Sequence, residues 1–178
     1  MRSYGDAIPD FESGSVLIDY FLPEKTKQVK LEILNEAGTV VNTFFSDTTG
    51  FSKDSLMHDM STNDFILLVD KSLSGKKGHN RYTWDMQHYG PWSASERRRY
   101  SSGSMVAPGK YMARITAGEE TVETTFELVL DPRAEKGGMT KEIIEEQIAF
   151  SQKVRDLLSE ARQLEADLEK KVKEKVLK

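Results

Sequence analysis

Cysteine is absent from the 178 residues. That omission removes disulfides, thiolate nucleophiles, cysteine-ligated zinc and iron–sulfur clusters together. A basic excess is also missing: 25 Lys and Arg stand against 29 Asp and Glu, a formal charge of −4. A chain that lives by phosphate contacts carries the opposite balance, so general nucleic-acid binding is disfavoured. No apolar run approaches the ~20 residues needed to cross a bilayer as a helix, so no membrane span is expected. No signal-peptide pattern follows Met1. This fits a cytoplasmic chain or an excised piece of an exported one equally well.

Proline and tryptophan are scarce and unevenly placed. All 5 Pro and both of the 2 Trp precede residue 138. Residues 1–137 carry the whole charge of −4, whereas residues 138–178 hold 9 acids and 9 bases and are rich in Glu, Lys, Leu and Ala. Two architectures therefore share the chain.

The first part reads as β. Val16, Ile18, Tyr20 and Leu22 alternate with a second set of side chains until Pro23 ends the run. Val29, Leu31 and Ile33 alternate up to Asn35-Glu36-Ala37-Gly38, and Val40, Asn42 and Phe44 continue beyond, which predicts a hairpin. Tyr82, Trp84 and Met86 form a half-buried strand pattern, with Trp84 expected in the core. A second hairpin is predicted from Tyr111, Ala113 and Ile115 through Ala117-Gly118-Glu119 to Val122, Thr124, Phe126, Leu128 and Leu130. Phe65–Val69 is a continuous apolar run that suits a doubly buried strand or a packed loop equally, and Ser52–Met60 suits a short helical turn. Six or seven short strands without a long helix among them predict an antiparallel β-sandwich of immunoglobulin-like type.

The second part reads as one amphipathic helix or coiled-coil segment. Thr140 is placed to cap it, with Glu142, Glu145 and Glu146 near its positive end. Phe150, Val154, Leu157, Ala161, Leu164 and Leu168 recur at spacings of four and three, a seam of a and d positions that then fades into Lys171 and Lys175. About 38 helical residues make a rod of roughly 57 Å. A compact chain of this length is only about 40 Å across. The rod is therefore expected to project, to fold back, or to pair with another helix within or between chains.

Three segments in the β part resemble a known architecture. Val29–Val41 is similar to the paired strands of the immunoglobulin-like domain of flagellar hook-capping proteins. His79-Asn80-Arg81-Tyr82-Thr83-Trp84-Asp85 resembles a Gly-x-Asn-Arg-Phe-x-Trp-Asp strand, and Val106–Ile115 a Pro-Pro-Gly-x-Tyr-x-Val-Arg-Leu strand, of a related set. Leu130-Asp131-Pro132-Arg133 and an acidic, Gln-containing helix complete the order. The whole, over roughly residues 14–160, resembles the C-terminal region of bacterial exported proteins. The N-terminal part of those proteins is a sortilin-like, neuraminidase-repeat β-propeller of glycosyl-hydrolase type. The segments 47–77 and 87–104 are longer than the corresponding connections of that set.

The resemblance implies a non-catalytic accessory sandwich at 14–133 and a helix at 138–178. Residues 1–13 would be a linker or the end of a preceding propeller domain, and the compartment would be periplasmic or extracellular. No cofactor is implied.

The residues themselves offer no catalytic constellation. A glycosidase needs two carboxylates facing each other across a cleft, and the acids here fall at turns and on outward strand positions. Asp19 and Asp85 are expected to be ordered by structural hydrogen bonds. His58, His79 and His88 lack metal-ligand spacing, and Gly75-Lys76-Lys77-Gly78 lacks the phosphate-loop pattern. The loop 87–104 has the unusual inventory: Tyr89, Trp92 and Tyr100 around Arg97, Arg98 and Arg99. Such a set either covers one end of the sandwich with its arginines solvated, contacts a protein partner, or stacks a sugar ring or base.

Overall fold

A computed structural model describes residues 14–47, 70, 72–95, 100–101 and 103–176. The expected elements at 52–60 and 65–69, the tail 1–13, His58 and Arg97, Arg98 and Arg99 lie outside the described residues. Among the described residues, six strands form two antiparallel sheets, followed by a long helix. Strands β1 (Val16–Leu22) and β4 (Gly78–Trp84) make a two-stranded sheet. Strands β2 (Val29–Asn35), β3 (Val40–Phe45), β5 (Gly109–Ala117) and β6 (Glu120–Leu128) make the other, in the order β3-β2-β5-β6. The predicted sandwich with its C-terminal helix is what the chain forms.

Each strand presents the face its alternation dictates. Ile18, Leu22, Tyr82 and Trp84 from the smaller sheet bury against Val29, Leu31, Ile33, Tyr111 and Ala113 from the larger. Their out-of-phase neighbours Leu17 and Phe21 are exposed. Both predicted hairpins form, and Gly38 takes φ 78° in the first, a region open to glycine at little cost. Strand β6 is less buried than its pattern suggests. It lies at the edge of its sheet, so only Phe126 and Leu128 reach the core and Val122 is 68% exposed. Met86 lies past the end of β4, at φ 59°, but still packs on the core.

Trp84 is the centre of this core. It is 1% exposed, and its ring meets those of Tyr111 and Phe126 at 5.9 and 6.1 Å. Its indole Nε1 donates to the Oδ1 of buried Asn42 at 3.1 Å, which ties β4 of one sheet to β3 of the other. Tyrosines make further ties. The Tyr20 hydroxyl donates to the Ser74 carbonyl at 2.6 Å and accepts from its amide at 2.9 Å, and the Tyr82 hydroxyl donates to Asp70.

After β6, Asp131 caps a short helix α1 (Pro132–Lys136), accepting from the Arg133 amide at 2.8 Å. The Arg133 guanidinium also bonds that carboxyl, which holds its pKa down to about 2. The long helix α2 (Lys141–Val176) follows without a break for 36 residues, its first turn closed by the Thr140 hydroxyl accepting from the Ile143 amide.

Trp84→Ala removes the largest buried side chain and leaves the Asn42 oxygen without its donor. Truncation of a buried aromatic of this kind costs about 3–5 kcal/mol. The expected result is a large fall in the urea midpoint, whereas Leu17→Ala on the exposed face leaves the midpoint nearly unchanged.

Candidate functional site

The described residues of the aromatic loop between β4 and β5 form an arm. Its two limbs run against each other as an irregular ladder: Val106 donates to the Met86 carbonyl, His88 to the Ser104 carbonyl and Gly90 to the Tyr100 carbonyl, all at 2.8–2.9 Å. The limbs approach so closely at Gly103 that a Cβ there would lie 1.7 Å from the His88 carbonyl oxygen, so only glycine fits.

Tyr89 fastens the arm to the sandwich. In the described sheet β3 is an edge strand, and the outward backbone groups of an edge need partners. The Tyr89 hydroxyl supplies both: it accepts from the Thr43 amide at 2.8 Å and donates to the Thr43 carbonyl at 2.6 Å. Burial pushes the Tyr89 pKa up to about 12, so the hydroxyl keeps the proton that it donates. Tyr100, at φ 60°, places its ring 6.0 Å from that of Tyr89.

The outer side of the arm grips α2. The Trp92 amide donates to the Ser159 Oγ at 3.0 Å, and the Ser159 hydroxyl in turn donates to the Arg155 carbonyl at 2.7 Å. Arg162 Nη1 donates to the Trp92 carbonyl, and the Gln152 amide shares a hydrogen bond with the His88 imidazole at 3.3 Å. The helix thus meets the body through a stripe that runs Ile144, Ile148, Gln152, Arg155, Ser159, Arg162 and Ala166, all half-buried.

The predicted seam lies elsewhere on the helix. Phe150, Leu157, Leu164 and Leu168 are 69%, 66%, 61% and 53% exposed, and Val154 and Ala161 are exposed as well. The helix does not bury its most apolar face on its own sandwich. The apolar face is plain in the sequence, whereas the polar stripe that docks is not. Its only signal is the periodic recurrence of Gln152, Arg155, Ser159 and Arg162 opposite the apolar set.

The other candidates fall into structural contacts. Asp19 takes two hydrogen bonds from the Arg81 guanidinium, at 2.6 and 2.9 Å, which hold its carboxyl below the ordinary value. Asp85 accepts from the Gln87 amide, and His79 packs edge-on to Phe21. Among the described residues, no group of three His, Asp or Glu side chains could hold a metal ion. No helix there is long and apolar enough to cross a membrane. Comparison of the chain with family models, curated proteins and solved structures returns no match.

The clasp between arm and helix carries a titratable group. Burial, with the nearby Arg155 charge, holds the His88 imidazole below its ordinary value of 6.5. Once undocked, His88 takes up a proton that the docked form refuses. Docking stability is therefore full above pH 6.5 and falls as the pH drops below it. The melting temperature is expected to fall between pH 7.5 and pH 5.5, and to fall less in His88→Gln. Ser159→Ala with Arg162→Ala should raise amide exchange in α2 while the strands of the two sheets keep their protection.

Proposed function

We propose that the chain is a non-catalytic interaction module: an immunoglobulin-like sandwich with a helical arm that supports or orients the β-propeller of a larger exported bacterial protein. The observation that carries this reading is the orientation of α2. The helix is held to the body by its polar stripe, and its apolar seam is turned outward, at 61–69% exposure for Phe150, Leu157 and Leu164. An apolar stripe of this size presented to the outside marks a surface for a protein partner.

Two further observations support it. Two of the three aromatic residues that would stack a sugar are engaged within the fold: Tyr89 is fixed to β3, and the Tyr100 ring lies against that of Tyr89. The ordered carboxylates Asp19 and Asp131 are each tied to an arginine rather than facing one another across a cleft. The assignment to an exported propeller protein rests on the resemblance of the strands around Val29–Val41, His79–Asp85 and Val106–Ile115, and with it comes a periplasmic or extracellular location.

The test is direct. Purified chain is expected to hydrolyse no aryl glycoside above the blank, and turnover that co-purifies with the chain through successive columns overturns the reading. Titration with a glycan panel is expected to show no saturable binding. Saturable binding that is lost in Trp92→Ala would instead make the arm a carbohydrate-binding site. The reading frame upstream of Met1 is expected to encode a propeller, and a stop codon immediately upstream overturns the assignment to a larger exported protein.

A further inference from the structure

The two stripes of α2 lie on opposite sides. With successive residues about 100° apart around a helix, the line through Gln152, Arg155, Ser159 and Arg162 sits about 150° from the line through Phe150, Val154, Leu157, Ala161, Leu164 and Leu168. A second helix laid on the seam therefore approaches from the side away from the body.

We propose that this second helix is α2 of another copy of the chain, packed antiparallel about a two-fold axis near Ser159. The proposal deepens the interaction-module reading and rests on it only for the claim that the seam is a surface for protein. Side-chain size favours this arrangement. In an antiparallel pair, a positions face d positions. Centred near Ser159, Leu157 faces the partner's Ala161, Val154 faces the partner's Leu164, and Phe150 faces the partner's Leu168. Every layer pairs a large side chain with one of different size. On the flank, Leu158 faces the partner's Leu158.

Charge points the same way. Residues 141–160 carry five acids and three bases, whereas residues 161–178 carry four acids and six bases. Antiparallel packing lays each acidic half on a basic half and opposes the two helix dipoles. In the seam itself, Lys171 meets the partner's Gln147, and Lys175 meets the partner's Ile143 beside Glu142 and Glu146. Parallel packing would instead stack Lys171 on the partner's Lys171 and Lys175 on the partner's Lys175. It would also set Glu160 against the partner's Glu165 and leave a thin layer at Ala161. The antiparallel register carries its own cost, since Glu160 meets its copy and Glu146 meets the partner's Glu174. Both contacts are on a solvated flank where screening weakens them, and Lys153 facing the partner's Asp167 offsets part of that cost.

Sedimentation velocity of the full chain tests the pairing. The expected result is a doubling of the 20.2 kDa chain mass as concentration rises. Leu157→Asp with Leu164→Asp is expected to return the chain to a single-copy mass with its near-ultraviolet circular dichroism unchanged, because both sites are exposed and lie outside the aromatic core of the sandwich. Orientation is read by oxidation, since the chain has no cysteine of its own. A mixture of Val154→Cys and Leu164→Cys chains is expected to form the mixed disulfide, and either variant alone to form little. In the antiparallel register, two copies of residue 154 lie about 15 Å apart along the axis. Efficient disulfides within Val154→Cys alone overturn the orientation, and a chain that keeps its single-copy mass into the high micromolar range overturns the pairing. That monomer would leave the non-catalytic reading standing. Glycoside turnover by a dimeric chain would do the reverse.

Discussion

One side-chain amide ties the two sheets of this molecule together. Asn42 is buried on β3, and its oxygen takes the indole proton of Trp84 in the centre of the core. Beside it on β3, the Tyr89 phenol is fixed to both backbone groups of the next residue, Thr43. A buried amide left unpaired costs on the order of 1–3 kcal/mol, so Asn42 enforces the position of Trp84. Three residues beyond Tyr89, the backbone of Trp92 holds the helix. Sheet packing, arm and helix are thus connected through a short series of hydrogen bonds rather than through one continuous apolar core.

That connection decides which way the helix faces. Hydrophobic burial alone would rotate α2 until Leu157 and Leu164 met the body, a gain of about 1.5–3 kcal/mol for each fully buried leucine. Individual hydrogen bonds contribute less, about 0.5–1.5 kcal/mol each. The polar stripe nevertheless makes several at once. Ser159 and Arg162 address the amide and the carbonyl of the same residue, Trp92. Such a pair fixes the rotation of the helix about its axis, because turning it breaks both bonds together. The apolar face is then left over in the isolated chain, and it becomes intelligible as a surface for something else.

The sandwich was legible because its strands obey a period of two. Ile18 and Leu22, Leu31 and Ile33, and Tyr82 and Trp84 each alternate with outward residues, and each pair is buried. The helix was legible for the same kind of reason, from its spacing of three and four. What alternation does not encode is which partner a face meets. The seam of Phe150 to Leu168 was visible, but its outward direction depends on a hydrogen bond between residues 67 positions apart, Trp92 and Ser159. The arm was visible as a cluster of aromatics, and its role was not. Tyr89 works through its hydroxyl on an edge strand, and Trp92 holds the helix through its backbone, which carries no side-chain signature. Val122 shows the converse: it keeps the alternation of β6 but sits at the sheet edge, where no opposing face covers it.

The far end of α2 adds a last constraint. Residues 170–175 are exposed on every side, so this stretch takes little support from the body. A helix end without tertiary support frays readily, and the ion pair Glu169–Lys173 at 3.8 Å, itself exposed, adds little. A surface that is anionic and apolar together would steady this cationic end. The start of the same helix is such a surface: Glu142, Glu145 and Glu146 flank Ile143, which is 40% exposed. One chain cannot bring the two ends of a straight 36-residue helix together. Two chains running in opposite directions bring them together twice.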